Sequence, residues 1–219
     1  MSLQETLTVA TVEEVGKRIA NIDTSFVKRL LGQFSLLLGE SFQRYLHNAA
    51  ERYNEIRTLA TEPELRPMIG PNGIYVREYL LYNINRTEKI ISTETIEPVL
   101  KVGSRILIEG SAGIGKTMLM RYLLLNTMNR GTYIPVFLEL RKIGRQLPDE
   151  ISITDLIFDC MRDLDVSLPK ECFSDSLRLG KYLFLMDGFD EIKESNSGAV
   201  AESIQAFSVK YPNNIYIVT

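Results

Sequence analysis

Gly110-Ser111-Ala112-Gly113-Ile114-Gly115-Lys116-Thr117 follows the apolar run Arg105-Ile-Leu-Ile-Glu109 and leads into a helical stretch, Met118 to Met128. A glycine-rich turn between a strand and a helix aims consecutive backbone N–H groups, and the positive end of the helix dipole, at one point where a phosphate can sit. In that pattern Lys116 neutralises the β- and γ-phosphates of a nucleotide, and the Thr117 hydroxyl holds a Mg²⁺ ion. The stretch from Gly110 through Met118 is therefore the expected nucleotide-binding segment. The bland alternative is an ordinary glycine turn; the strand before it and the helix after it argue against that.

A second stretch completes the pattern. Tyr182-Leu-Phe-Leu-Met-Asp187-Gly-Phe-Asp190-Glu191 is an apolar run too short for a helix core and ended by acids, as expected of a buried parallel strand. Ligands of doubly wound sheets bind at the carboxyl ends of the strands, so an Asp closing one strand and a phosphate loop following another meet in one site. Asp187 is then the expected Mg²⁺ partner, directly or through water. Asp190 and Glu191 lie just past the strand tip, where a carboxylate can orient or deprotonate an attacking water, and are the candidate catalytic acids.

Together these residues resemble the NACHT family, a branch of the STAND signal-transduction NTPases within the P-loop class. The marks are the Gly110 to Thr117 loop, the small residue Gly188 directly after Asp187, and the acidic pair completing Asp187-Gly-Phe-Asp-Glu191. Pro135-Val-Phe-Leu-Glu-Leu-Arg141 is similar to the family's second strand, and Ser152-Ile-Thr-Asp-Leu-Ile157 to the helix start after it. The resemblance spans about Ile74 to Thr219. It implies an α/β fold with a P-loop NTPase parallel sheet of the ASCE/STAND type, whose fourth strand inserts between the loop strand and the Asp187 strand. It also implies ATP or ADP as ligand, with GTP possible, and Mg²⁺ as cofactor. The implied function is a molecular switch whose slow hydrolysis controls self-association in signalling, plausibly in defence. The family continues its fourth strand into a sensor arginine, then a fifth strand, a helical domain, a winged-helix domain and a C-terminal part that binds the sensed ligand. Thr219 precedes all of these, so an incomplete domain is expected.

Composition sets wide bounds. The chain has 219 residues, 45% of them hydrophobic, with net charge −3, enough apolar content for a sizeable core. Residues 1 to 103 carry 12 basic and 13 acidic side chains, and residues 104 to 219 carry 13 and 15, so neither half has the basic excess of a nucleic-acid or anionic-membrane binder. Cys160 and Cys172 stand outside any Cys-x-x-Cys pattern, and with one histidine no zinc set can be assembled. They read as reduced thiols in a helix and a loop. His47 reads as a surface or half-buried structural residue. The first twenty residues hold no apolar block and no run approaches 18 apolar residues, so a cytoplasmic chain is expected.

Three regions follow. Residues 1–62 form an N-terminal helical region: Thr11-x-x-Glu14 is a capping-box pattern, and a long helix is expected from about Thr24 to Ala60. Its stripe of Phe26, Leu30, Phe34, Leu37, Leu38, Phe42, Tyr45, Leu46, Ala49, Tyr53, Ile56 and Leu59 recurs at three and four residues. That stripe either packs on the nucleotide-binding core or on further domains, or serves an effector or oligomerisation module. Residues 63–103 form a linker and lead-in, punctuated by Pro63, Pro67, Gly70, Pro71 and Gly73. By resemblance the lead-in lies near the nucleotide base, with Ile74, Tyr75 and Val76 as candidate base contacts and plain packing as the alternative. Residues 104–219 form the incomplete nucleotide-binding domain. In it Pro135 argues for a sheet-edge strand, and the last strand is Ile215 to Thr219.

Two other functions fit a phosphate loop. A small-molecule kinase needs phosphate-binding arginines after the acidic strand, and residues 192–212 contain none. A nucleotide-binding scaffold without turnover is distinguished only by measured hydrolysis.

Overall fold

The computed structural model describes residues 35–57, 65–68, 75–76, 78–84, 87–143, 152–164 and 170–219. In chain order these form helix α1 (Ser35–Asn54), the short antiparallel pair β1 (Glu55–Arg57) and β2 (Leu65–Pro67), and a hairpin of β3 (Tyr79–Ile84) and β4 (Thr87–Ser92). Helix α2 (Glu97–Leu100), strand β5 (Arg105–Leu107), helix α3 (Lys116–Arg130), strand β6 (Ile134–Glu139) and helices α4 (Leu140–Ile143), α5 (Ile153–Asp163) and α6 (Lys170–Arg178) come next. Strand β7 (Tyr182–Asp187), helix α7 (Glu194–Lys210) and strand β8 (Ile215–Val218) complete the set. The Thr11 to Ala20 segment, the stripe residues before position 35, and Pro63, Gly70, Pro71, Gly73 and Ile74 lie outside the described residues.

Strands β5, β8, β7 and β6 make one parallel sheet in that order. The strand that comes last in the chain thus sits between the loop strand and the Asp187 strand, the insertion the resemblance implies. Every residue of β7 is buried, which is why its sequence shows no alternation. Phe184 stacks on Tyr216 of β8, with ring centroids 5.4 Å apart, and is met edge-on by Phe207 of α7. Asn214, fully buried, ties the strand starts to the helix ends. It accepts from the Tyr182 N–H and donates to the carbonyls of Leu177 and Tyr211.

Pro135 lies in β6, at one edge of the sheet. Edge carbonyls invite pairing with another chain unless something covers them. Here the Tyr45 hydroxyl of α1 donates to the Pro135 carbonyl at 3.0 Å, and the Cys160 thiol of α5 donates to the Phe137 carbonyl at 3.1 Å. Burial pushes the Cys160 thiol up to about 11, so at pH 8 only about one molecule in a thousand carries the thiolate. Cys160 should therefore alkylate with iodoacetamide about a hundredfold more slowly than an exposed thiol. Peptide mass spectrometry of native and urea-unfolded chain checks this; equal rates would contradict its place under the sheet edge.

Two local expectations need correction. The long helix stops at Asn54, not near Ala60, because Glu55–Arg57 turns into a strand paired with Leu65–Pro67 and the Asn54 carbonyl accepts from the Met68 N–H. Pairing won over a helical pattern that still had Ile56 to offer. Cys172 lies in helix α6 rather than in a loop; with only Phe173 and Leu177 as fully buried apolar anchors, that helix gave little periodic signal. The lead-in is a β-hairpin, with Tyr79, Leu81 and Ile90 largely exposed. His47 is at the surface, within 3.3 Å of Glu51 one turn on.

Phe42, Tyr45, Leu46, Ala49, Ala50 and Tyr53 of α1 are all buried in the core shared with the sheet. The Tyr53 ring lies 4.6 Å from that of Phe137, and Phe42 meets Tyr182 at 5.9 Å. Of the two readings of the stripe, the packing one describes these residues. Among the described residues no helix is long and apolar enough to cross a membrane.

Candidate functional site

The loop between β5 and α3 is shaped by two glycines at positive φ, Gly113 at 78° and Gly115 at 108°. Residues other than glycine rarely adopt that backbone. Helix α3 starts at Lys116, two residues earlier than the sequence pattern suggested. The first N–H groups of a helix lack partners within it and face the loop's concavity. Ser111, Ala112 and Ile114 are exposed on the loop, while Met118 is half-buried within the first turn of α3.

Lys116 folds back over the loop. Its Nζ donates to the Gly110 carbonyl at 2.7 Å and the Ser111 carbonyl at 3.3 Å, and pairs with Asp190 Oδ2 at 2.9 Å. The lysine side chain is only 12% exposed, the aspartate 51%, so the pair is screened on one side only.

At the tip of β7, Asp187 is 8% exposed. Gly188 then takes φ 83°, turning the chain into a short 3₁₀ turn, Phe189–Glu191, which carries the two further acids. Thr219 fixes this corner. Its hydroxyl donates to Asp187 Oδ1 at 2.8 Å and accepts from the Gly188 N–H at 3.3 Å, while its carbonyl accepts from the Phe189 N–H at 2.7 Å. Thr117, Asp187, Gly188 and Glu191 line one cleft together with Arg121, Phe137, Glu139 and Arg141. Glu139 sits beside Asp187 because β6 and β7 pair in that register. The structure thus brings Thr117, Asp187 and Glu191 together, and sets Asp190 apart on the lysine.

The sequence reading missed Thr219, Arg121, Glu139 and Arg141. Thr219 could have been found from the implied strand order alone, since a strand inserted beside the Asp187 strand must end beside Asp187. The lead-in residues split. Tyr75 stacks face to face on Tyr122 of α3, with centroids 3.9 Å apart, and its hydroxyl meets Thr93 Oγ1 at 3.1 Å, so its ring is engaged in packing. Val76 is 79% exposed.

A parallel sheet with a strand–glycine loop–helix unit and an aspartate closing a strand two places away defines a P-loop NTPase. The comparison with known proteins narrows the class: the NACHT domain family matches residues 104–212, and the chain belongs to that family through this domain. The chain is also similar to "NACHT, LRR and PYD domains-containing protein 3" of Rattus norvegicus, with 33% identity over 118 residues. That match covers 51% of this chain and 10% of the relative, so the chain spans about a tenth of that protein's length. No solved structure matches it significantly.

The residues present fit a Mg²⁺-bound nucleotide on two counts. The glycine-shaped loop offers N–H donors and a lysine, and a hydroxyl and a buried carboxylate share the adjoining cleft.

Proposed function

We propose that this chain is the nucleotide-binding core of a cytoplasmic signalling switch that binds ATP or ADP, with GTP possible, hydrolyses the triphosphate slowly, and so controls self-association, plausibly in defence. The observation that supports it best is the shared cleft of Thr117, Asp187 and Glu191 beside the loop that carries Lys116. Gly110 to Met118 supply the N–H cradle. Thr117 and Asp187 hold Mg²⁺, with the Thr219 hydroxyl orienting the carboxylate. When bound, the cation offsets charge on the phosphate oxygens.

The two acids of the 3₁₀ turn take different work. Glu191 lines the cleft and orients the attacking water; Asp190 holds Lys116 and steers its ammonium group. Slow hydrolysis then resets the switch, and the sensed ligand binds domains beyond this stretch, as in proteins of the family.

Binding and turnover separate in one experiment on the intact protein. Glu191→Gln should slow ATP hydrolysis about a hundredfold, the scale of a lost general base, and keep ADP affinity. Asp187→Asn should weaken Mg²⁺-dependent binding about tenfold, the effect of losing one charged partner of a hydrogen-bonded cation. Calorimetry and phosphate release measure the two. Wild-type chain that binds no nucleotide in the presence of Mg²⁺ would end this reading.

A further inference from the structure

Gly115 has a close neighbour that neither the phosphate-loop pattern nor the cleft accounts for. A Cβ at this position would come within 2.5 Å of Glu78 Oε1 and 3.5 Å of its carboxyl carbon. A carboxylate from the lead-in segment therefore lies in the space that any side chain at residue 115 would fill, against the loop backbone.

The placement is built rather than incidental. The Glu78 backbone is clamped by Thr93, which is fully buried: the Glu78 N–H donates to Thr93 Oγ1, and the Glu78 carbonyl accepts from both the Thr93 hydroxyl at 2.7 Å and the Thr93 N–H at 3.2 Å. Three residues earlier, Tyr75 shares that same hydroxyl and stacks on Tyr122, a residue of the helix the loop opens. The segment carrying Glu78 is thus docked on α3 by the ring stack and fixed to Thr93, just past β4, by the backbone clamp, which places the acid at Gly115, the residue before that helix.

What a carboxylate does there follows from the ligand the loop is shaped to take. The unpartnered N–H groups at the start of α3 and its dipole attract one anion well. A nucleotide phosphate held by the same backbone would stand beside a second anion, and like charges at close range in a half-buried site repel strongly. Burial already raises the Glu78 carboxyl above its ordinary value, the mark of an anion kept partly from water.

Building on the proposed nucleotide-binding role of the loop, we infer that Glu78 is an intramolecular competitor of nucleotide phosphate at Gly115. Binding then requires this carboxylate to swing away or to lose its charge. The lead-in becomes a brake on nucleotide loading, and whatever shifts the hairpin changes affinity without touching the lysine or the acids of the cleft.

Glu78→Gln keeps the shape and the backbone clamp and removes the charge. It should bind Mg-ADP, and pyrophosphate as a probe of the phosphate end alone, about tenfold more tightly than wild type in calorimetry, a 1.4 kcal/mol gain. Glu78→Ala, which removes charge and bulk, should do at least as well. Circular dichroism of both variants checks that the fold is kept, and the inference rests on whichever variant folds. Unchanged affinity would show that the carboxylate does not compete; weaker affinity in both variants would make it a ligand contact. Either result overturns the inference. Lys116→Ala in the same series keeps the two claims apart, because loss of binding there with no gain at Glu78 sinks only the competitor.

Discussion

Lys116→Ala should lower affinity for Mg-ADP by about a thousandfold, the scale expected when one partner of a buried, hydrogen-bonded charge pair is removed. The fold should stay intact. The lysine is part-buried but contributes to the loop rather than to the core: its three contacts are the Gly110 and Ser111 carbonyls and Asp190. Those carbonyls keep access to water in the variant, since both residues are exposed. The melting temperature should accordingly fall by only a few degrees, as about 1 kcal/mol moves a domain of this size by roughly 2–4 °C. Calorimetry with ADP and a thermal melt on the same sample give both numbers. Wild-type affinity in the variant would remove Lys116 from the site. Lost affinity together with a collapsed melt would make it a structural residue.

The contact with Asp190 sharpens the interpretation. A phosphate that draws the ammonium group must compete with a carboxylate at 2.9 Å, so part of the lysine's charge is committed before binding. With Glu78 beside Gly115, two carboxylates stand at the loop, one paired with the ammonium group of Lys116 and one against the residue that precedes the helix. Loading of a phosphate on the loop then requires both carboxylates to give way, so each acid weakens binding rather than strengthening it.

Local features were legible and distant ones were not. The Gly110 to Thr117 loop and the buried strand ending at Asp187 are each written in fewer than ten consecutive residues, so their local structure could be read directly. The order β5, β8, β7, β6 came from family resemblance; nothing in the apolar run Ile215 to Val218 says which strands it joins. Gly115 was assigned to the phosphate turn, and a sequence cannot show that Glu78, far back in the chain, needs that glycine's missing Cβ. Asp190 and Glu191 are adjacent and chemically alike. Only the 3₁₀ turn that starts at Gly188, with its φ of 83°, sends one to Lys116 and the other to the cleft. The end of α1 was misread for a similar reason: Ile56 fits the helical stripe, but pairing of Glu55–Arg57 with Leu65–Pro67 is a tertiary event that periodicity does not contain.

Tyr45→Ala should destabilise the whole nucleotide-binding core by about 3–5 kcal/mol, the range for truncating a buried aromatic, and Tyr45→Phe by about 1 kcal/mol for the lost hydrogen bond. Tyr45 is fully buried, packs edge-on against Phe42, and its hydroxyl donates to the carbonyl of Pro135 on the edge strand. Burial raises its phenol well above its ordinary value, so the group stays a neutral donor throughout the usable pH range. The Phe variant leaves a buried edge carbonyl unpaired; the Ala variant adds a cavity over β6 and loosens Phe42, which touches Tyr182 of the central strand. Urea unfolding followed by far-ultraviolet dichroism should show one transition that moves as a unit in both variants. A separately folded effector or oligomerisation module would behave otherwise. Its helix would melt in its own step, and truncating Tyr45 would leave the sheet's transition where it was. A loss below about 1 kcal/mol in Tyr45→Ala, small for any buried aromatic, would therefore free α1 from the core and return its stripe to the search for a partner.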